Sequence, residues 1–175
     1  RIEIDGDIAT IIFNRPEKRN AMNDALIDEL DAFFSAPPKS VTAVILRGEG
    51  GHFCSGLDLA EHEHRAPVEG VFHSRNWHRV SELIEFGGLP VISVLTGAVI
   101  GGGLEIAAST HVRIAEPTVR FQLPEGRRGI FVGGGATASN SGWMEIATGD
   151  DSQGAAGGCE PIMVSGYGPG DPLTG

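Results

Sequence analysis

The chain has 175 residues, of which 41% are hydrophobic, and this is enough for one globular domain with a buried core. Its 13 basic and 23 acidic side chains give a formal net charge of −10, which disfavours nucleic-acid binding because a phosphate backbone needs a basic surface. The two cysteines are too few for a disulfide framework, and no apolar run reaches the roughly 18 residues of a membrane span, so we predict a cytoplasmic protein.

The first part of the chain predicts a β-hairpin, a helix and a buried strand. Residues 2–4 alternate in polarity and residues 8–13 are apolar, on either side of a Gly-Asp turn, which is typical of two antiparallel strands. Asn23 is a suitable N-cap for the helix. The apolar positions of this helix follow helical spacing and are Leu26, Ile27, Leu30, Phe33 and Phe34. Residues 41–46 predict the buried strand.

The middle of the chain alternates strands and helices, with glycine-rich loops after the strands. The predicted elements are a loop at 47–59, an exposed, charged stretch at 60–75, a helix at 77–86, a strand at 90–95, a helix at 102–108 and a short strand at 112–114. The order ββα, then βα, then βα is typical of an α/β fold.

Three glycines, residues 101–103, join a strand to a helix, and Glu105 follows on the first turn of that helix. Glycines let a ligand touch the backbone, and the first N–H groups of a helix can bind a phosphate or a carbonyl oxygen that becomes negative during a reaction. The phosphate alternative is weaker, because the P-loop lysine and the third glycine of a dinucleotide fingerprint are absent. A role in close packing alone stays open. We favour a carbonyl site, with Glu105 as general acid or base and a second N–H from Leu57.

Four sequence motifs resemble the crotonase superfamily, which contains the enoyl-CoA hydratases and isomerases. They are, in order, RPEKRNAMN at 15–23, HFCSGLDL at 52–59, GAVIGGGLEIAAS at 97–109 and FQLPEGRRGI at 121–130. The resemblance implies an α/β fold, the crotonase (ClpP-like) spiral of repeated ββα units. It divides the chain into a crotonase-like core domain, residues 1–137, and a glycine-rich divergent tail, residues 138–175.

The resemblance fades after about residue 137, where we expect the chain to be truncated or altered. The C-terminal helical part of the family is expected to be missing or degraded. We expect the tail to be loosely packed or disordered, although residues 144–149 are similar to the end of a family helix.

The resemblance implies that the protein adds water across the double bond of an enoyl-CoA thioester, a lyase reaction of fatty acid metabolism. The backbone N–H groups of Leu57 and Gly102 would bind the thioester oxygen, and Glu105 and Glu125 would flank the attacking water. Two alternatives stay open. One is Δ3–Δ2 enoyl-CoA isomerisation or another crotonase reaction, and the other is an inactive fragment that only binds acyl-CoA or partner chains. We expect Gly102→Val to remove activity, because a Cβ there would intrude on the thioester.

Coenzyme A is implied as part of the substrate, with no permanently bound cofactor and no metal. The residues expected to contact it are Lys18, Arg19, Ala21, Leu57, Asp58 and Leu59. The implied partners are acyl-CoA and further copies of the chain in a homo-trimer or hexamer, with no nucleic acid and no membrane.

Two other patterns suggest chemistry less strongly. The run Glu-His-Glu-His at 61–64 contains metal-ligating residue types, but its histidines are two positions apart and the HExxH spacing is absent. His52 and Cys54 could form a base and a nucleophile, but no third group is evident that would orient them. We predict that Cys54 fills space in the core.

Overall fold

The computed structural model describes residues 1–62, 67–124, 143–148 and 161–165. The strands are β1 (Ile2–Asp5), β2 (Ile8–Phe13), β3 (Ala43–Gly48), β4 (Val91–Leu95), β5 (Ala98–Ile100), β6 (Val112–Ala115), β7 (Arg120–Gln122), β8 (Trp143–Thr148) and β9 (Pro161–Ser165). The helices are α1 (Asp24–Ser35), α2 (Leu59–His62), α3 (Pro67–Phe86) and α4 (Gly102–Ser109), and a short 3₁₀ helix spans Pro16–Lys18.

A seven-stranded sheet, in the order β1-β2-β3-β4-β6-β8-β9, forms the frame, and β5 pairs with β7 in a second, two-stranded sheet. The hairpin of β1 and β2 is antiparallel as predicted, and β2, β3, β4 and β6 run parallel to one another. Because parallel strands need crossover connections, helices α1, α3 and α4 lie between them in the chain. The α/β class predicted from the element order is confirmed.

Helix α1 begins and ends where its sequence predicts. The Asn23 side chain accepts a hydrogen bond from the Leu26 N–H at 3.2 Å, which satisfies one of the free donors at the helix start. The helix ends at Ser35, just before two consecutive prolines. Its predicted core positions Ile27 and Leu30 are 1% and 2% exposed, so the helix packs on the sheet by the expected face.

Helix α3 begins at Pro67, which is earlier than the predicted start at residue 77. A proline fits the first position of a helix, where its missing N–H has no partner to lose. Periodicity failed to reveal the first two turns because they have no buried apolar face, and Val68 and Phe72 there are exposed. Polar contacts join the helix to α1 from His73 onward. These contacts are His73–Asp24 at 3.0 Å, Asn76–Asp28 at 2.9 Å and Arg79–Asp31 at 2.6 Å.

The strands that the sequence did not predict are short or lie in the tail. β5 and β7 have three residues each, too few for an alternating pattern, and they are brought together by pairing between distant segments. The expected helix end at 144–149 is wrong, because residues 143–148 form β8, which pairs with the free edge of β6 and with β9. The remaining tail residues lie outside the described residues, and its loose packing stays a prediction.

The core lies between the larger sheet and the helices. Its fully buried side chains come from every major element and include Phe13, Val44, Leu46, Ile27, Val80, Ile84 and Ile106. Each such side chain contributes about 1.5–3 kcal/mol when it is removed from water. None of the helices within the described ranges is long and apolar enough to cross a membrane.

Candidate active site

The loop that follows β3, residues 49–58, lies alongside β5 and reaches the start of α4. The Cys54 N–H donates to the Ala98 carbonyl at 2.9 Å, and the Cys54 carbonyl accepts from the Ile100 N–H at 3.0 Å. These two bonds hold the loop against the glycine turn that precedes α4. Two segments far apart in sequence are thereby fixed next to each other.

The structure brings together the segments that carry Leu57 and Gly102. Leu57 forms an isolated bridge with Met22 in which the Gly56 carbonyl and the Asp58 N–H make the bonds, so the Leu57 N–H points away from Met22. Gly102 is the first residue of α4, where N–H groups have no intrahelical acceptor. Across the described ranges neither N–H donates a hydrogen bond. A Cβ built on Gly56 would lie 3.5 Å from the Gly102 nitrogen, so the two loops are in contact.

Gly56 must be glycine for this approach. Its φ is +90°, a region that other residues rarely adopt, and a Cβ would lie 2.8 Å from the Ile100 carbonyl oxygen. Any side chain here would push apart the two segments that carry Leu57 and Gly102.

Glu105 lies on the first turn of α4 and is buried, with only 4% of its surface exposed. Its N–H donates to the Gly101 carbonyl at 3.0 Å, so the helix starts at the glycine turn itself. The positive end of the helix dipole favours a carboxylate at this position. Glu125, the second predicted carboxylate, lies outside the described residues.

A side chain at Gly102 would meet the buried ring of Trp77. A Cβ built there overlaps Cζ2 of Trp77 and lies 3.3 Å from Cε of Met22. The expectation that Gly102→Val would intrude on the thioester is therefore wrong in its reason. The substitution would displace the buried Trp77 ring, and it cannot isolate the contribution of the Gly102 N–H.

Asn20 holds the two site loops together and was not singled out from the sequence. It is fully buried with a left-handed φ of +57°, a conformation that asparagine tolerates better than most residues. Its Nδ2 donates to the carbonyls of Glu49 and His52 at 2.9 and 2.6 Å, and its Oδ1 accepts from the Arg15 N–H at 2.9 Å. In the sequence, the only feature that could have indicated this role was an asparagine within a loop rich in basic residues.

Arg15 makes a second link between the same loops. Its Nη2 donates to Oδ2 of Asp58 at 2.9 Å, and its Nη1 donates to the Ala21 carbonyl at 2.7 Å. Asp58 is 7% exposed, so the ion pair is largely shielded from water. Both Ala21 and Asp58 were predicted to contact coenzyme A. In the described structure they serve to fix the loop that carries Leu57.

Lys18 and Arg19 are exposed and lie next to this loop. The Ser55 N–H donates to the Arg19 carbonyl at 3.0 Å, and Ser55 Oγ donates to the Lys18 carbonyl at 3.1 Å. Neither cationic side chain forms an ion pair within the ranges that the structure describes. Leu59 begins α2 and is 38% exposed. These residues border the candidate site on its solvent side.

Cys54 is a packing residue, as predicted. It is fully buried, and burial raises the pKa of its thiol to about 12, partly offset by the Gly56 N–H that donates to its Sγ at 3.3 Å. His52 does not activate it, because Nδ1 of His52 accepts a hydrogen bond from the Ala98 N–H at 3.1 Å. A neutral, buried thiol is a poor nucleophile.

Within the parts of the chain that the structure describes, no three His, Cys, Asp or Glu side chains are grouped as metal ligands would be. Of the 61–64 run, residues 63 and 64 lie outside the described residues. The described site is therefore built from backbone N–H groups and one buried carboxylate.

Comparison with known proteins identifies the family of the chain. The family model "Enoyl-CoA hydratase/isomerase" matches residues 3–141. The short-chain-enoyl-CoA hydratase of Clostridium acetobutylicum is 35% identical over 139 residues, which are 78% of this chain and 53% of that protein. An enoyl-CoA hydratase structure from Thermoplasma volcanium has a TM-score of 0.72 at 32% identity and covers 77% of this chain and 55% of that one.

A Thermobifida fusca structure, solved in complex with acetoacetyl-CoA, has a TM-score of 0.69 at 25% identity and covers 75% of this chain and 56% of that one. The chain spans about half the length of the curated relatives it matches. The described architecture has the crotonase fold. With a family model that matches most of its residues and relatives that share its fold, the chain belongs to the enoyl-CoA hydratase/isomerase family of the crotonase superfamily.

Proposed function

We propose that the protein binds an enoyl-CoA thioester and adds water across its C2=C3 double bond. The observation that carries the proposal is a pair of backbone N–H groups, those of Leu57 and Gly102, that have no acceptor among the described residues and lie in contacting loops beside the buried Glu105. Hydration turns the thioester carbonyl into an enolate, whose negative oxygen needs hydrogen-bond donors that are already in position. Two rigid N–H groups meet that need.

Glu105 and Glu125 would handle the protons. One carboxylate takes a proton from the water while the water oxygen bonds to C3. The other carboxyl group, which is protonated, supplies a proton to C2 as the enolate collapses. Atoms balance, since one water is added and no other group leaves. The burial of Glu105 supports this role, because a carboxylate kept from bulk water exchanges its proton with the substrate rather than with solvent.

Coenzyme A would be the part of the substrate that the protein binds outside the reacting acyl group, and the protein would hold no permanently bound cofactor. Lys18 and Arg19 are exposed cations beside the Leu57 loop, which suits the phosphates of a nucleotide. A nucleotide that contacted the Ala21 carbonyl would share this acceptor with the Arg15 side chain. The Thermobifida fusca relative with acetoacetyl-CoA is consistent with such a ligand.

A homo-trimer or hexamer and a cytoplasmic location remain predictions of the resemblance and the composition. So does the loosely packed tail at 138–175. Light scattering after size-exclusion chromatography measures the oligomeric state, and hydrogen exchange across 150–175 measures how tightly the tail is packed.

The proposal is tested by the hydration of crotonyl-CoA, followed through the loss of the enoyl-thioester absorbance. Glu105→Gln keeps the shape of the side chain and removes its titratable proton, so we expect the rate to fall by about 10²–10⁴-fold. Glu125→Gln should have an effect of the same order, because hydration needs both groups.

Glu116→Gln is the matched control, since Glu116 is an exposed carboxylate at the end of β6, and its rate should be unchanged. Isomerisation of a 3-enoyl-CoA without hydration of crotonyl-CoA would contradict the proposal. Binding of acyl-CoA without turnover of any enoyl-CoA would contradict it as well.

A further inference from the structure

Trp77 carries a buried donor next to the candidate oxyanion site. The residue is 5% exposed, and its indole Nε1 has no hydrogen-bond partner in the part of the chain that the structure describes. The ring edge with Cζ2 and Cη2 faces Gly102, because a Cβ built on Gly102 would meet these two atoms first. Nε1 is two bonds from Cζ2, so the indole N–H lies close to the backbone of Gly102.

An unpaired donor at this place requires an explanation. Native proteins leave few buried polar groups without a partner, and those that remain are frequently tied to binding or catalysis. Polar side chains on the outer side of α3 are hydrogen-bonded, since Asn76 and Arg79 both donate to aspartates of α1. The side of α3 that faces Gly102 is different.

We propose that the Trp77 indole N–H determines acyl specificity by donating a hydrogen bond to an oxygen on C3 of the acyl group. The inference rests on the proposed function, in which Leu57 and Gly102 hold the thioester oxygen. A donor beside Gly102 matches a second oxygen in a 1,3 relationship to the first. A 3-oxoacyl thioester has such a pair, and hydration of an enoyl thioester places a hydroxyl oxygen on the same carbon.

Two acyl-CoAs separate this contact from the rest of the ligand. Acetoacetyl-CoA and butyryl-CoA have the same chain length, and the oxygen on C3 is the only difference between them. The first of these is the ligand present in the Thermobifida fusca structure. Neither is an enoyl thioester, so their dissociation constants report binding without turnover.

Trp77→Phe keeps an aromatic ring against Gly102 and removes the N–H. Isothermal titration should show that the unmodified protein prefers acetoacetyl-CoA. We expect Trp77→Phe to raise the Kd for acetoacetyl-CoA about tenfold, the loss of one hydrogen bond, while the Kd for butyryl-CoA changes less than about twofold. Should the phenylalanine variant fold poorly, 3-benzothienylalanine at position 77 replaces the N–H by sulfur at nearly constant shape.

Asn76→Ala is the control, because Asn76 is adjacent to Trp77 in α3 and its side chain is bonded to Asp28 on the exposed side of the helix. It should leave both dissociation constants unchanged. Equal weakening of both ligands by Trp77→Phe, or no weakening of either, would overturn the inference and leave the proposed function standing. Failure of the unmodified protein to bind either acyl-CoA would overturn the proposed function and the inference with it.

Discussion

Two walls of the candidate site differ in how their buried polar groups are satisfied. The loop wall consists of residues 14–23 and 48–58, and its buried polar side chains, those of Asn20 and Asp58, are all bonded within the protein. The helix wall is the inner face of α3. Three buried atoms on this helix have no partner among the described residues, namely Trp77 Nε1, Ser81 Oγ and Glu85 Oε2.

The difference indicates two kinds of task. A wall that presents the Leu57 N–H to a ligand must be rigid, because a preformed donor stabilises developing charge without reorganisation. The bonds of Asn20 and Arg15 supply that rigidity. The helix wall gives up stability at Trp77, which packs against Gly102, and a departure from good bonding beside a binding site is expected to be functional.

The largest effect should come from breaking the loop wall at Asn20. Asn20→Ala removes three hydrogen bonds and leaves alanine in a left-handed conformation, so we expect a loss of about 3 kcal/mol in the free energy of unfolding. Urea denaturation measures it. Asn76→Ala, which removes an exposed hydrogen bond from α3 to Asp28 of α1, should change the free energy of unfolding by less than about 0.5 kcal/mol. Similar values for the two variants would refute the division into walls.

The helix wall should respond in the opposite direction. Ser81→Ala removes a buried hydroxyl that has no partner, so we expect stability to rise by about 1 kcal/mol. Ser93 is the matched position, because it is equally buried and its Oγ lies 2.9 Å from Oγ1 of Thr110. Ser93→Ala should lower stability by about 1 kcal/mol. A loss on replacing Ser81 would show that its hydroxyl is bonded after all.

The smallest effect concerns the pH dependence of Glu85. Burial raises the pKa of this carboxyl group above 4.5, and the charges of His111 and Arg113 partly offset the rise. A raised folded pKa means that the group's contribution to stability is full below the unfolded pKa and is lost as pH rises through the folded value. Glu85→Gln should therefore gain stability relative to the unmodified protein at neutral pH, and this gain should vanish in acid.

Thermal unfolding at several pH values measures that difference. Glu29→Gln is the control for a carboxylate-to-amide change, since Glu29 is exposed on α1 and forms no ion pair within the described ranges. A gain for Glu85→Gln that is equal at all pH values would contradict the assigned cause.

The sequence predicts the site well where local chemistry decides the structure. The cap at Asn23 and the start of α4 directly after three glycines were both expected from residue types and spacing. The meeting of the Leu57 loop and the glycine turn was expected from the carbonyl-site hypothesis, and the family resemblance named Gly102 as the second donor. It depends on Gly56, whose need for a left-handed φ has no signature beyond the glycine itself.

What sequence reasoning missed depends on contacts between distant residues. Arg15 and Asp58 are 43 positions apart, and no periodicity connects them. Trp77 was expected only as part of a helix, since its position against Gly102 is set by the packing of α3 on α4. The early start of α3 was missed because its first two turns bury no apolar face and are joined to α1 through the contact of His73 with Asp24, 49 positions away.

The most direct measurement of the central claim removes the Leu57 N–H, although the Gly56 carbonyl that accepts from Met22 then becomes a weaker acceptor. Replacing leucine at this position by its α-hydroxy acid turns the amide into an ester and keeps the side chain. We expect the rate of crotonyl-CoA hydration to fall by about 10²–10³-fold with the fold intact, because one oxyanion donor is lost. The same replacement at Ala25, a first-turn residue of α1, should leave the rate unchanged. Normal hydration by the Leu57 ester would contradict the account.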